Sequence, residues 1–203
     1  MPGVKSRREQ HSDATRAALL DAATKRFLAE GYTATALEDV AADIQATRGA
    51  VYHHFSNKRA LFEAVLEVMA VSAADEIAAA RAGADTPWEG ALAALAAFLD
   101  RCLDPDYSKI VWQEGPIALG WLDWQRHEER HACGQVEVIL RDLVECGEIP
   151  PLPLEAATRV LFWALGAAGQ ALAEAEPARR PAVRAEYAEV ALRILHGLRG
   201  GRT

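Results

Sequence analysis

The sequence predicts an all-α protein, in which an N-terminal unit of three short helices precedes a larger helical body. Alanine is abundant, and runs of β-branched residues are absent. Apolar residues recur throughout the chain at the 3.6-residue period of an amphipathic helix, and Gly and Pro residues interrupt that pattern. These observations favour helices over strands in every segment.

The composition is that of a globular protein with a core, since 51% of the 203 residues are apolar and 25% are charged. No apolar run approaches the ~20 residues that span a bilayer, and the polar N-terminus lacks the apolar region of a secretory signal. The three cysteines form no CxxC pair. We therefore expect a cytoplasmic protein with reduced thiols and no membrane partner.

Charge is distributed unevenly along the chain. Residues 1–60 contain nine Lys and Arg against seven Asp and Glu, whereas the remaining residues contain 13 against 22. A basic head on an acidic body indicates that only the head contacts a polyanion.

The N-terminal unit is predicted to be a helix-turn-helix domain over residues 13–58, preceded by a disordered basic arm over residues 1–12. Its first helix covers about residues 13–30 and ends at Gly31. The segment Thr35-Ala36-Leu37-Glu38 has the spacing of a capping box, which makes Thr35 the N-cap of the second helix.

A tight turn at Gln45-Ala46 separates the second helix from the third, which Thr47 caps and which ends near Phe55. Ser56 or Asn57 then caps a long linking helix over about residues 58–81. The body over residues 84–203 is predicted to contain helices at about 88–103, 117–146, 154–176 and 181–198, with a short helix before a break at Gly115-Pro116.

The third helix carries polar side chains on the face that points away from the core. At 100° per residue, Val51 and Phe55 share one face and should be buried, whereas Gly49, Tyr52 and His53 lie on the other, with Arg48 on the flank. In a helix-turn-helix the second helix of the motif enters the DNA major groove. Arg48 can bind guanine or phosphate, Tyr52 and His53 can bind phosphate, and Gly49 allows a close backbone approach. His54 lies near the buried face and is expected to be structural.

Three further residues are predicted to bind DNA phosphates around this helix. Thr35 and Thr47 stand at helix N-termini, where free N–H groups favour an anion, and Lys58 can contact the backbone from the start of the linking helix. The alternative is that this exposed set is an ordinary surface on a three-helix packing module.

Several segments in register resemble the N-terminal domain of the TetR family of transcriptional regulators over about residues 13–65. They are FLAEGY from Phe27, LEDVA from Leu37, TRGAVYHHF from Thr47 and NKRAL from Asn57. The resemblance implies a homodimer that binds a palindromic double-stranded DNA operator, most often as a repressor, and that a small-molecule effector releases. In that family the positions of Thr35, Thr47, Arg48, Tyr52, His53 and Lys58 commonly touch DNA. Gln45 replaces a frequent Gly and is expected to adopt a positive φ.

Aromatic side chains in the body suggest where an effector would bind. Five tryptophans lie beyond residue 84, and several flank the predicted break at Gly115-Pro116, where a broken helix can leave an apolar cavity. The candidate lining residues are Phe98, Trp112, Gln113, Trp121, Trp124 and Trp163. The alternative for each is ordinary core packing.

The last two predicted helices, over about residues 154–198, have the pattern of a dimer interface. One carries an apolar stripe beside the small residues Gly166 and Gly169, and the other is apolar on most sides. Two copies are expected to form a four-helix seam about a twofold axis.

A competing motif is HEERH, in which His127 and His131 could share a zinc ion while Glu128 acts as general base of a hydrolase. The surrounding run DWQRHEERH is strongly charged, which is typical of a solvated helix face or a pocket rim. We therefore expect no metal, no cofactor, no catalytic residue and no enzymatic activity. A helical scaffold without a DNA role is a third alternative.

Overall fold

The computed structural model describes residues 7–200, with side chains from residue 10 onward, and this part of the chain is all-α as predicted. The helices are α1 (Arg7–Ala34), α2 (Leu37–Asp43), α3 (Arg48–His54), α4 (Lys58–Ala82), α5 (Pro87–Leu103), α6 (Pro105–Tyr107), a π-helical segment (Ser108–Glu114), α7 (Gly115–Leu119), α8 (Trp121–Glu145), α9 (Leu154–Glu174) and α10 (Arg180–Gly200). None of the described helices combines the length and the low polarity that crossing a bilayer requires.

The first helix starts earlier than the sequence pattern indicates, and its helical backbone is interrupted at Gly31, where the pattern predicts its end. It begins at Arg7, so the prediction of a disordered arm is wrong for residues 7–12, while residues 1–6 lie outside the described residues. Near its end the backbone turns sharply at Gly31, where φ is 80°. Glycine adopts this conformation without the steric cost that a Cβ atom adds. The turn redirects the chain between α1 and α2.

Thr35 does not cap the second helix, which corrects the predicted capping box. The N-cap of α2 is Ala36, and it makes no side-chain capping bond. Thr35 is 2% exposed, and its hydroxyl donates a hydrogen bond to the carbonyl of Gly31 over 2.9 Å. The hydroxyl and the backbone N–H of Thr35 both donate to this carbonyl at the end of α1, so the hydroxyl does not cap α2.

The turn and caps around α3 follow the sequence prediction. Gln45 has φ 55°, the conformation expected where a Gly is often found. Thr47 accepts a hydrogen bond from the backbone N–H of Ala50, and Asn57 accepts one from Ala60 at the start of α4. Both caps satisfy N–H groups that have no partner within the helix. Thr47 thus fixes the start of α3, and Asn57 fixes the start of the helix that follows it.

One hydrophobic core runs from the helix-turn-helix domain into the body. Phe27 of α1 packs edge-on against Phe62 of α4, with ring centroids 5.0 Å apart, and the same core continues to Trp112, Trp124 and Leu172. A smaller core at the far end of the body centres on Trp88 and Leu143. Because α4 belongs to both halves, movement in the body can reach the three-helix domain through packed side chains.

The predicted helix break lies at Gly120 and not at Gly115-Pro116. Pro116 occupies the first turn of α7, where its missing N–H costs nothing, and the π-helical segment leads directly into it. Gly115 is needed for packing, since a Cβ there would lie 2.7 Å from Trp124. Gly120 has φ 79° and separates α7 from α8. The proline-rich segment before α9 is non-helical, as expected.

Candidate nucleic-acid interface and effector cavity

Helix α3 presents the polar face that its sequence predicts. Val51 and Phe55 are buried, whereas Thr47, Arg48, Gly49, Tyr52 and His53 are exposed. The Gly49 position is open, because a Cβ built there meets only the Thr47 hydroxyl, at 3.9 Å. The exposed face therefore offers a guanidinium, a phenol and an imidazole beside bare backbone.

Glu38 of α2 binds two of these side chains at once, a role that the sequence reasoning missed. The Tyr52 hydroxyl donates to Glu38 Oε1 over 3.1 Å, and Arg48 Nη2 lies 3.3 Å from the same oxygen. Hydrogen bonds from its own backbone N–H and from Tyr52, together with the Arg48 charge, hold the pKa of Glu38 below its ordinary value. The carboxylate is thus an internal anion placed against the groups predicted to bind DNA.

Lys58 is tied to the end of α1. Its Nζ donates hydrogen bonds to the carbonyl of Tyr32 over 2.8 Å and to that of Thr33 over 3.1 Å, and it lies 4.5 Å from the centre of the Tyr32 ring. An ammonium at a helix C-terminus satisfies free carbonyls and the helix dipole. Lys58 therefore has a structural role, with at most one of its three N–H donors left for a phosphate. The Thr35 side chain, by contrast, lies in the core and offers no exposed hydroxyl.

The two histidines of α3 differ in environment. His53 is exposed and His54 is half-buried, with their rings 5.3 Å apart. Burial, followed by repulsion from His53 and Arg16, lowers the pKa of His54 below 6.5. Near neutral pH His54 is therefore uncharged and serves as a packing residue, in line with its predicted structural role.

The body contains a cavity of about 370 Å³ between α4, α5, α8, α9 and α10. Phe98, Trp112 and Trp163 line it, as predicted. Gln113, Trp121 and Trp124 do not, which corrects the other half of the predicted lining. Gln113 donates to the carbonyl of Ala173, Trp124 is buried and donates to the carbonyl of Val111, and Trp121 is 53% exposed.

The HEERH segment lies on α8 and is not a solvated face. His127 and Glu128 are buried, and Glu128 and His131 line the cavity beside Tyr107 and Gln135. The His127 and His131 rings stack with centroids 4.4 Å apart, and burial is the main cause that lowers the pKa of His131. Within residues 7–200, no three His, Cys, Asp or Glu side chains are grouped to hold a metal ion. These residues form the polar end of the cavity.

Two hydrogen bonds connect the cavity wall to the helix-turn-helix domain. The backbone N–H of Tyr32 donates to Glu114 Oε2 over 2.7 Å, and Lys109 Nζ donates to the carbonyl of Leu28 over 2.6 Å. Glu114 and Lys109 lie on the π-helical segment, whose Trp112 lines the cavity. The bend at Gly31 directs the Tyr32 N–H towards this segment. The two hydrogen bonds therefore join the end of α1 to the cavity wall.

Comparisons with known proteins agree with this geometry. The family model described as "Bacterial regulatory proteins, tetR family" matches residues 19–65, and "Tetracyclin repressor-like, C-terminal domain" matches residues 88–198. The Transposon Tn10 TetC protein of Escherichia coli is 23% identical over 141 residues, which are 70% of this chain and 71% of that protein. The regulator TtgR of Pseudomonas putida is 39% identical over 61 residues, 30% of this chain but only 29% of TtgR.

Solved structures share the whole fold. A TetR-family transcriptional regulator from Pectobacterium atrosepticum has a TM-score of 0.81 and 29% identity, with 97% of this chain and 98% of that chain covered. RolR in complex with its ligand resorcinol has a TM-score of 0.69 and 20% identity, with 92% of this chain and 89% of RolR covered. This likeness shows a common fold. With both family models matched over the two structural parts, the chain belongs to the TetR family of DNA-binding transcriptional regulators.

Proposed function

We propose that this protein is a homodimeric repressor that binds a palindromic operator through α3 and leaves it when a small molecule enters the body cavity. The observation that carries the proposal is the exposed set of Arg48, Tyr52 and His53 on α3, whose N-terminus Thr47 caps. Arg48 has the chemistry to read guanine, while Tyr52, His53 and the Thr47 N-terminus suit phosphates. As a DNA-binding regulator, the protein acts in the cytoplasm, and we assign it no enzymatic activity.

Exposed apolar side chains on α9 and α10 support the dimer. Val160 is 68% exposed, Val190 56% and Ile194 39%, and α10 has no buried residue. Such a surface favours pairing with a second copy through about residues 154–198. A twofold axis there would present two α3 helices to half-sites about 34–36 Å apart on one side of B-form DNA.

The cavity and its contact with α1 support release by an effector. A ligand changes DNA affinity only by the difference in its affinity for the two protein conformations. Trp112 lies in the cavity wall, and its neighbours Lys109 and Glu114 bind Leu28 and Tyr32 of α1. A ligand that moves the π-helical segment would therefore change the position of the three-helix domain. RolR, which has a related fold, was solved with resorcinol, a compound small enough for such a cavity.

The test combines selection of an operator with measurement of affinity and mass. DNA bound by the purified protein is selected from a random pool, and fluorescence anisotropy then compares the parent with Tyr52→Phe and Tyr52→Ala. We expect palindromic sequences, one or two dimers on each, and weaker binding by Tyr52→Ala, while sedimentation shows an unchanged dimer. Selected sequences without symmetry, or a monomer in sedimentation, would contradict the proposal.

A further inference from the structure

The polar end of the cavity contains a carboxylate without a cationic partner. Glu128 lines the cavity and is 7% exposed. Within the part of the chain that the structure describes, its polar side-chain contact joins Oε1 to Nδ1 of the neighbouring His127 over 3.3 Å. Among the described residues, no Lys or Arg nitrogen lies within 4.0 Å of either carboxylate oxygen. Glu128 is thus a buried carboxylate that no Lys or Arg of the described residues neutralises.

Beyond the His127 ring, the surroundings offer this carboxylate little positive charge. The cavity wall is mostly alanine, leucine and aromatic side chains. His131 also lines it, but burial and the neighbouring His127 lower its pKa, so it carries little positive charge near neutral pH. Arg101, the arginine of α5, pairs with Glu76 at 3.3 Å and lies over the Tyr107 ring. A carboxylate removed from water without a counter-charge is costly, and a bound cation removes that cost.

We propose that the cavity accepts a mostly aromatic molecule with a protonated amine, and that the ammonium group binds Glu128. This inference rests on the proposed role of the cavity as the effector site. Phe98, Trp112 and Trp163 place aromatic rings in the cavity wall, where rings can pack against an aromatic ligand and can attract a cation. The cavity of about 370 Å³ lies within the usual range for small-molecule sites. A carboxylate ligand would meet Glu128 without an Arg or Lys to bind it.

The ligand class can be tested on the parent protein with three compounds of one shape. Isothermal titration calorimetry measures the binding of 1-naphthylmethylamine, 1-naphthylmethanol and 1-naphthoate near neutral pH. The ammonium compound is expected to bind at least about tenfold more tightly than the alcohol, and the carboxylate more weakly than both. Equal binding of amine and alcohol, or tightest binding of the carboxylate, would overturn the inference.

Two variants locate the amine within the cavity. Glu128→Gln keeps the shape and removes the charge, so the preference for the amine over the alcohol should disappear. Glu129→Gln is the matched control, because Glu129 is adjacent on α8 but pairs with Arg159 and Trp163 Nε1 and is not a cavity residue. It should retain the preference. A preference for the amine that persists in Glu128→Gln would contradict the inference. If that variant does not fold, the comparison of the three compounds on the parent protein still tests the ligand class.

The same samples separate this inference from the proposed function. Anisotropy with the selected operator is measured with and without the amine. Operator binding combined with no preference for the amine contradicts the ligand assignment and leaves the DNA-binding role intact. A Glu128-dependent preference for the amine supports the ligand assignment even if the protein binds no operator, an outcome that would contradict the repressor proposal alone.

Discussion

The hydroxyl of Tyr52 donates a hydrogen bond to the carboxylate of Glu38 over 3.1 Å, which joins the exposed face of α3 to α2. Arg48 approaches the same oxygen and lies 5.4 Å from the centre of the Tyr52 ring. In the DNA-free protein, Glu38 therefore holds two of the side chains that we assign to the operator. When DNA binds, a phosphate or a base must displace the carboxylate from these side chains. Otherwise it must accept hydrogen bonds from the N–H groups that the carboxylate does not use.

Glu38→Gln is expected to raise affinity for DNA by about two- to tenfold, because it removes an anion that competes for Arg48 and Tyr52. Fluorescence anisotropy with operator and with unrelated DNA measures the change. Asp39→Asn is the control, since it removes an exposed charge from the same helix, whereas Asp39 contacts Arg26 and not α3. An equal gain from the two variants would show that net charge, and not the local contact, is responsible.

Lys58→Ala is expected to affect both stability and DNA binding. The variant leaves the carbonyls of Tyr32 and Thr33 without their ammonium partner, so the free energy of unfolding should fall by about 1–2 kcal/mol. If the remaining N–H contacts a phosphate, affinity falls equally for all sequences and the slope of log affinity against log salt decreases by about 1. Lys25→Ala is the matched control, as Lys25 is exposed and its ion pair is with Asp21 of the same helix. A salt slope identical to that of the parent would rule out the phosphate contact.

Gly169→Ala is expected to destabilise the protein by forcing Trp112 out of place. A Cβ at residue 169 would lie 2.3 Å from the Trp112 ring, so the ring or α9 must shift, at a cost of about 1–3 kcal/mol. Gly134→Ala in α8 meets nothing within 4 Å and should stabilise the helix by about 0.5–1 kcal/mol. Urea unfolding of both variants measures the difference. Equal effects of the two substitutions would contradict the packing of Trp112 on α9.

Because of His54, the free energy of unfolding is expected to fall on mild acidification. The pKa of His54 is lowered in the folded protein. At a pH below the ordinary value of 6.5, the unfolded chain therefore protonates this histidine more fully than the folded chain does. The free energy of unfolding therefore falls as the pH drops through 6.5 towards the folded pKa. Urea unfolding at about pH 7.5 and about pH 5.5 should show a smaller loss for His54→Gln than for the parent. His131, whose pKa is also lowered, retains part of the effect, and an unchanged loss in the variant would exclude His54 as a cause.

The orientation of α3 could be predicted because it depends on local rules. Val51 and Phe55 are one helical turn apart, Thr47 and Asn57 are strong caps, and Gln45 stands where the turn requires a positive φ. These features are determined by residues close together in sequence. The exposed set on α3 follows from them without any knowledge of the rest of the fold.

The cavity was less predictable because it depends on contacts between distant elements. A charged run around Glu128 resembles a solvated face, and only the packing of α8 against α4, α5 and α9 buries it. Trp121 and Trp124 are three residues apart on α8, yet one is exposed and the other buried. Thr35 has the spacing of a capping residue, but the turn at Gly31 directs its hydroxyl to a carbonyl instead. In each case a tertiary contact decides between two local possibilities.

The central claim is that α3 reads base pairs in the major groove, and its most direct test is the specificity profile of Arg48→Ala. Affinities of the parent and the variant are measured for the selected operator and for every single-base-pair substitution of it. We expect the variant to lose about ten- to hundredfold in affinity for the operator and to lose discrimination at one base pair in each half-site. A variant that keeps the full discrimination profile of the parent would contradict the assignment of α3 to the groove.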